Sequence, residues 1–233
     1  MVKSAKEKFK TYQDVFDSHT IRNLFVLGSK GLFDENSLSP IATGKEANVF
    51  AADSKNGRVV VKIYRVTTCD FNKMYEYIRT DPRFPKLTNK RRKVIFAWAK
   101  REYRNLLRAR EKGVSVPTAH AFKDNILVMS LIGDEWPASK LKDEKPKDLK
   151  KFFEKTIDNM KKLKKAGLIH GDLSEFNILN HNDLPYFIDF SQCTQLNDPL
   201  SEELLTRDVK NMERFFNKLG LKVTEQEIRK KIG

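Results

Sequence analysis

"HGDLSEFN", residues 170–177, is the stretch on which the reading of this chain turns. It sets His170, Asp172, Leu173 and Asn177 in an H-x-D-L-x-x-x-N spacing, with Gly171 in second place. An aspartate and an asparagine held five residues apart by a short loop can divide one task. The carboxylate takes a proton from a hydroxyl, and the amide oxygen holds a cation. The same residues also suit a polar turn at a helix end, so the rest of the chain has to supply the partners or withhold them.

One partner lies close by. "IDFS" (188–191) places Asp189 twelve residues after Asn177, beyond two predicted short strands, "NILN" and "YFIDF", that flank the turn "HNDLP". In the protein-kinase template, H-R-D-L-x-x-x-N followed by D-F-G carries a base and two metal ligands. Carboxylate and amide oxygens are hard ligands suited to a Mg²⁺ that also bridges phosphates. Each residue alone is an ordinary turn residue, but the order and spacing together are poorly explained that way.

Upstream, "VVVK" ends at Lys62, matching the strand lysine of V-A-I-K in type. A helix is predicted from about Val94 to Lys112, closed by Gly113, with an apolar stripe of Ile95, Trp98, Ala99, Leu106 and Ala109. Glu102 falls in the middle of that stripe. A carboxylate on a buried face is costly unless paired, and Lys62 is its natural partner. The alternative is that Glu102 lies at the stripe's edge and reaches solvent. "ATGKEANV" (42–49) stands where a G-x-G-x-x-G-x-V loop belongs; Gly44 and Val49 match, while Ala42 and Ala47 replace glycines. It is not a Walker A loop either, because Ser39 lacks the first glycine and Glu46 follows Lys45. The order is nonetheless the expected one, since Val49 leads into the hairpin that ends at Lys62.

Around these segments the pattern is α+β. The chain to about residue 38 reads as helical, with Phe9, Tyr12 and Phe16 on one face and Leu24, Phe25 and Leu27 as a second cluster. "NVFAAD" and "RVVVKIYR" are strands joined at Asn56-Gly57. Residues 66–92, polar and broken by Pro82 and Pro85, read as an inserted flexible loop with one short helix. "VPTAHAF" and "NILVMSLIG" give two more strands. A long helix then carries Leu149, Phe152, Phe153, Ile157, Met160 and Leu163 on one face and closes at Gly167. "SEELLTRDVKNMERFFNKLG" and a short terminal helix follow. The division expected is 1–38 as a helical extension packed on the core, 39–129 as a strand-rich lobe, and 130–233 as hinge and helical lobe.

Bulk properties narrow the function. At 233 residues with 39% hydrophobic and 33% charged residues, the chain can bury a full core beneath a heavily charged surface. No apolar run is long enough to span a bilayer. The start, "MVKSAKEKFKTYQDVF", lacks the apolar stretch of a secretory signal. Cys69 and Cys193, the two cysteines, form no disulfide or metal framework. A cytoplasmic location is expected. The net charge of +14, concentrated in residues 86–112 and 145–165, favours polyanionic partners, nucleic acid above all, against the plainer reading of a lysine-rich solvated surface.

"TGKEANVF", "VVVKIYR", "HGDLSEFNIL" and "IDFSQ" closely resemble the signature segments of the RIO family of atypical serine/threonine protein kinases, in its first subfamily. The resemblance spans essentially the whole chain. It implies a two-lobed protein-kinase-like fold, with an antiparallel sheet and a helix in the N-lobe, a trimmed, mainly helical C-lobe and extra N-terminal helices. It also implies ATP with Mg²⁺ or Mn²⁺. Carried over residue by residue, Asp172 is the catalytic base, and Asn177 and Asp189 are the metal ligands. Asp189 is also a candidate to accept phosphate itself. Lys62 is the phosphate lysine paired with Glu102, and Gly44, Lys45 and Val49 cover the nucleotide. The backbone of Ser130 and Ile132 holds the adenine, with Met129 behind it.

The family's role in late maturation of the small ribosomal subunit makes the pre-ribosomal particle and its RNA the expected partners. In ordinary protein kinases the arginine that Gly171 replaces pairs with a phosphorylated activation loop. No A-P-E motif follows Asp189, so activity without loop phosphorylation is expected. Two alternatives stay open: a mainly non-catalytic assembly factor switched by ATP, and a small-molecule phosphotransferase of the aminoglycoside or choline kinase type, which shares the H-x-D-x-x-x-x-N loop.

Overall fold

The computed structural model describes residues 16–233, so Phe9 and Tyr12 lie outside the described residues. The chain forms two compact units. The first holds the residues up to Arg79, Phe84–Lys100 and Ala119–Leu131; the second holds Thr80–Arg83, Arg101–Thr118 and Ile132–Gly233.

In chain order the first unit contains α1 (Ser18–Ser29), β1 (Ser39–Thr43), β2 (Ala47–Ser54), β3 (Gly57–Tyr64), α2 (Phe71–Ile78), the start of α3 (Arg91–Glu111), β4 (Ala119–Lys123) and β5 (Ile126–Ser130). The five strands form one antiparallel sheet of order β1-β2-β3-β5-β4. Strand periodicity sorts their side chains onto two faces. Phe50, Ala52, Val59, Val61, Ile63, Ile126 and Val128 form a buried core with Leu24 and Leu27 of α1 and with Phe33 and Leu38. The Asp17 side chain caps α1 by accepting from the Thr20 amide. Phe25, grouped by sequence with Leu24 and Leu27, is 64% exposed instead. Residues 24 and 27 share a helix face, whereas 25 is turned about 100° from 24 and points away.

Ala47 and Tyr64, from the opposite face of the sheet, join a second core with Met74 and Ile78 of α2 and Val94, Ile95 and Trp98 of α3. The segment 66–92, expected as a loop with a short helix, therefore contains a helix with buried side chains. Asp70 caps it by accepting from the Lys73 amide.

The second unit takes α3 from Arg101 onward and adds β6 (Ser139–Lys140), α4 (Leu149–Lys165), β7 (Leu168–Ile169), β8 (Ile178–His181), β9 (Leu184–Phe187), β10 (Thr194–Gln195), α5 (Ser201–Lys218) and α6 (Glu225–Ile232). Burial on α4 follows the predicted stripe: Phe152, Phe153, Ile157, Met160 and Leu163 are buried. Phe153 meets Phe216 of α5 edge-on, with ring centroids 5.0 Å apart. The β8–β9 hairpin turns through Asn182 and Asp183, both in the left-handed region at φ 54° and 57°. Two such residues make the turn whose twist suits a tight hairpin. β7 pairs with β10, and β6 with β8. These two-residue strands are too short to leave a periodic signal in the sequence. Together the elements frame the loop 170–177 between β7 and β8.

Candidate active site

His170 opens the loop and is buried. Its Nε2 donates to the Ile188 carbonyl at 3.0 Å, and its ring stands edge-on to Phe190 with centroids 4.9 Å apart. The histidine thus ties the loop to the chain entering Asp189. Gly171 adopts φ +77°, and a Cβ there would lie 3.2 Å from the Gln192 carbonyl oxygen and 3.4 Å from Leu204. That backbone conformation is one L side chains adopt only at a cost.

Asp208 of α5 holds this conformation. Its two carboxylate oxygens accept from the Gly171 and Leu173 amides, each at 2.8 Å. Arg207 donates to the Gly171 carbonyl, and Asn211 donates to the Leu173 carbonyl at 3.0 Å. Burial pushes the Asp208 carboxyl up to about 7, opposed by the two amides and by Arg207. The loop on both sides of Asp172 is therefore pinned from one helix.

Within the loop, Asn177 donates through Nδ2 to the Asp172 carbonyl at 2.8 Å and to the Asp172 carboxylate at 3.2 Å. The Asn177 carbonyl accepts from the Ile188 amide at 3.0 Å, which joins the loop to the strand that ends before Asp189. Asp172, Asn177 and Asp189 are each partly buried, a state that orders a side chain and leaves it reachable. Asp189 sits at φ +62°, a left-handed conformation unusual for a non-glycine residue and common at functional sites. Its neighbours hold it there. Ser191 Oγ donates to Asp189 Oδ1 at 2.8 Å, and the Phe190 amide donates to Glu102 Oε1 at 3.1 Å.

A divalent cation fits the chemistry of this set. The amide nitrogen of Asn177 is committed to Asp172, so its oxygen is the atom a metal would take, beside the carboxylate of Asp189. Among the described residues there is no cluster of three or more His, Cys, Asp or Glu suited to a metal. The metal reading therefore rests on an amide and a carboxylate, the pairing the sequence pattern names.

The other predicted residues lie mostly in the first unit. Lys62 is buried at mid-sheet, directly opposite Val49 on β2 and Leu127 on β5, with Nζ 5.1 Å from the centre of the Tyr64 ring. Directly opposed residues share a face, so Val49 and Lys62 stand side by side. Met129 is opposite Val60, two residues before Lys62 and hence on that face too. Gly44 donates its amide to the Ala47 carbonyl at 2.9 Å in the β1–β2 turn, and Lys45 is exposed there. Ser130 ends β5, with its hydroxyl 2.9 Å from His120 Nε2. Ile132, in the second unit, accepts at its carbonyl from the Ala138 amide at 2.8 Å.

Glu102 is fully buried, so the reading in which it reaches solvent does not hold. Sequence reasoning missed Asp208, Asn211 and Asn105. A signal existed for Asp208 and Asn105; half-buried Asn211 carried none. Asp208 interrupts the apolar stripe of Leu204, Leu205, Val209 and Met212, and Asn105 lies one turn after Glu102 on the buried side of α3. A polar residue on a buried stripe is a request for a partner, and here the partners are loop amides and carbonyls.

The RIO domain family matches residues 48–228. The RIO-type serine/threonine-protein kinase Rio1 of Methanocaldococcus jannaschii is 44% identical over 215 residues, covering 91% of this chain and 73% of that protein. The protein of the same name from Haloferax volcanii is 39% identical over 217 residues, covering 92% and 74%. Among solved structures, the Chaetomium thermophilum Rio2 kinase in an ADP/Mg²⁺-phosphoaspartate complex is similar with a TM-score of 0.68 at 25% identity. That match covers 90% of this chain and 65% of the Rio2 chain.

Proposed function

This chain belongs to the RIO family of serine/threonine kinases, and from that premise we propose that it moves the γ-phosphate of ATP, with Mg²⁺ or Mn²⁺, onto serine or threonine hydroxyls, its own included, in the service of small-subunit ribosome maturation. The observation that carries this reading is the Asn177 amide on Asp172, inside a loop that Asp208 holds at two backbone amides. A base positioned in this way loses little orientational freedom when an acceptor hydroxyl arrives.

Asp172 takes the proton of that hydroxyl as its oxygen attacks phosphorus. Lys62, fixed in the middle of the sheet, neutralises the α- and β-phosphates, and Glu102 is its proposed partner. Val49 and Met129 offer apolar contact to the nucleotide, and Gly44 and Lys45 lie on the turn that covers it. Ser130 and Ile132 offer backbone groups to the adenine; with the Ile132 carbonyl taken by Ala138, its amide is the group proposed. Asn177 and Asp189 would hold a Mg²⁺, which when bound would neutralise the phosphate oxygens. With the chain in the RIO family, the small-molecule phosphotransferase reading loses its footing.

A second reading is favoured by the phosphoaspartate in the Rio2 complex. In it an Asp189 oxygen attacks the γ-phosphorus, the bond to ADP breaks, and water then cleaves the acyl phosphate. The net reaction is ATP hydrolysis, suited to timing release from a pre-ribosomal particle. The net charge of +14 supports a polyanionic partner such as its RNA, and the cytoplasm is the proposed place of action. Among the described residues no helix is long and apolar enough to cross a membrane.

The deciding experiment follows the label from γ-labelled ATP. Phosphate stable to hydroxylamine on serine or threonine supports transfer to protein. Hydroxylamine-labile label on Asp189, or free phosphate, supports the switch. Binding of ATP with no label leaving it in any form would sink both.

A further inference from the structure

A charged cluster lies buried behind the Asp189 loop. The Asp81 carboxylate receives Arg83 Nη2 at 2.6 Å and Nε at 2.9 Å, and Arg101 Nε stands 3.3 Å away. Arg101 and Asn105 are fully buried and Asp81 is 4% exposed. From Asp81 the network runs outward. Arg83 Nη1 donates to Asn105 Oδ1 at 2.8 Å, and Asn105 Nδ2 donates to the carbonyls of Cys193 at 2.8 Å and Phe190 at 3.1 Å. Residues 80–83 belong to the second unit although their chain neighbours on both sides belong to the first.

Burying Arg101 and Asp81, with Arg83 half-buried beside them, is expensive, and apolar packing would serve stability as well or better. What this cluster does that apolar packing could not is grip backbone carbonyls at Phe190 and Cys193, immediately after the left-handed Asp189. Asn105 reaches both carbonyls with one amide group only if its oxygen is held away, and Arg83 holds it. Arg83 is in turn held by three contacts to Asp81 in the planar geometry that guanidinium and carboxylate share.

We propose that Arg83, seated on Asp81 and acting through Asn105, is a positioning residue for the Asp189 loop, fixing where Asp189 presents its carboxylate. The inference rests on the reading of Asp189 as a metal-handling residue and goes beyond it, by assigning a role to the end of the inserted segment. It does not require Arg83 to touch nucleotide or acceptor.

The charge balance selects the variant. Removing Asp81 would strand the buried Arg101 and leave Arg83 without its anchor, whereas Arg83→Ala leaves the Arg101–Asp81 pair balanced. Arg83→Lys keeps the charge but cannot bridge Asp81 and Asn105 as a planar fork does. Mg²⁺ is titrated against the full chain with ADP present, alongside melting temperature and turnover.

Arg83→Ala, Arg83→Lys and Asn105→Ala should each raise the half-saturating Mg²⁺ about tenfold, the scale of a lost supporting contact to a metal ligand. The Arg83→Ala/Asn105→Ala double variant should add little, because the two act in series. Full rescue by Arg83→Lys would reduce Arg83 to a charge and overturn the proposal. So would unchanged Mg²⁺ dependence in Arg83→Lys, the variant least liable to unfold. Asp189→Ala separates the failures: if it shifts the Mg²⁺ dependence and the Arg83 variants do not, only the positioning role falls. If Asp189→Ala shifts nothing, the metal reading of Asp189 falls and the positioning role with it.

Discussion

The side-chain amide of Asn177 donates to both the carbonyl and the carboxylate of Asp172, at 2.8 and 3.2 Å. One donor thus closes the loop on itself and aims the carboxylate, and it makes the amide oxygen the atom that a cation would take. The two residues therefore have separable roles. Asp172→Ala should lower phosphate transfer by about 10²–10⁴-fold, the span of a lost general base, with ADP affinity within about twofold. Asn177→Ala should lower transfer less and raise the Mg²⁺ requirement. Turnover and ADP binding measured on both variants decide it, and parallel loss of nucleotide affinity in Asp172→Ala would remove that residue from the acceptor side.

Gly171 occupies the place of the template arginine, and its backbone at φ +77° gives the reason. Restoring the arginine should harm the protein. Gly171→Arg places a Cβ 3.2 Å from the Gln192 carbonyl in a left-handed conformation, at about 1–2 kcal/mol of backbone strain before any side-chain clash. Relief of that strain would move the Gly171 amide off Asp208. Unfolding in guanidinium and turnover should both show loss. A variant as stable and active as the parent would mean that the loop does not need this geometry.

The residues that bear the proposed chemistry were legible because their order and spacing are local. Asp172, Asn177 and Asp189 lie within twenty residues, and the hairpin between them announces itself by its turn. Lys62 was legible as the lysine that ends an apolar run just after the Asn56-Gly57 hairpin turn, and Glu102 from a helical stripe it interrupts. What supports them was not. Asp208 holds residues 171 and 173 from α5, and Arg83 reaches Asn105 from the inserted segment. Such pairs have no fixed spacing, and a single sequence carries only half of each, a polar residue on a buried face. The two-residue strands β6, β7 and β10 were missed for a related reason, since they exist through tertiary pairing and not through their own propensity.

The proposed pairing of Lys62 with Glu102 makes a prediction of coupling. Lys62→Ala and Glu102→Ala should each lower turnover, and the double variant should fall little below the lower single. Glu102 has a second duty, since it accepts the Phe190 amide, so Glu102→Gln is the cleaner test: it keeps an acceptor for that amide and removes the charge. Losses that add fully in log rate would show that the lysine and the glutamate work apart.

Asp208 predicts a pH dependence of stability whose sign is opposite to that of an ordinary paired carboxylate. Burial lifts its folded value to about 7 from 3.8, so between those limits the folded protein keeps a proton that the unfolded chain has released. Stability from this group is then fully present below about pH 4, declines as pH rises, and levels off above about 7. Asp208→Asn removes the titration and, by turning an amide nitrogen toward one of the Gly171 and Leu173 amides, also costs a hydrogen bond at every pH. The two effects separate by slope. Between pH 5 and pH 8 the parent should lose on the order of 2 kcal/mol more than Asp208→Asn, by guanidinium unfolding at fixed ionic strength. Parallel curves would mean that the two loop amides keep Asp208 ionised throughout this range, and that its grip on the catalytic loop does not change with pH.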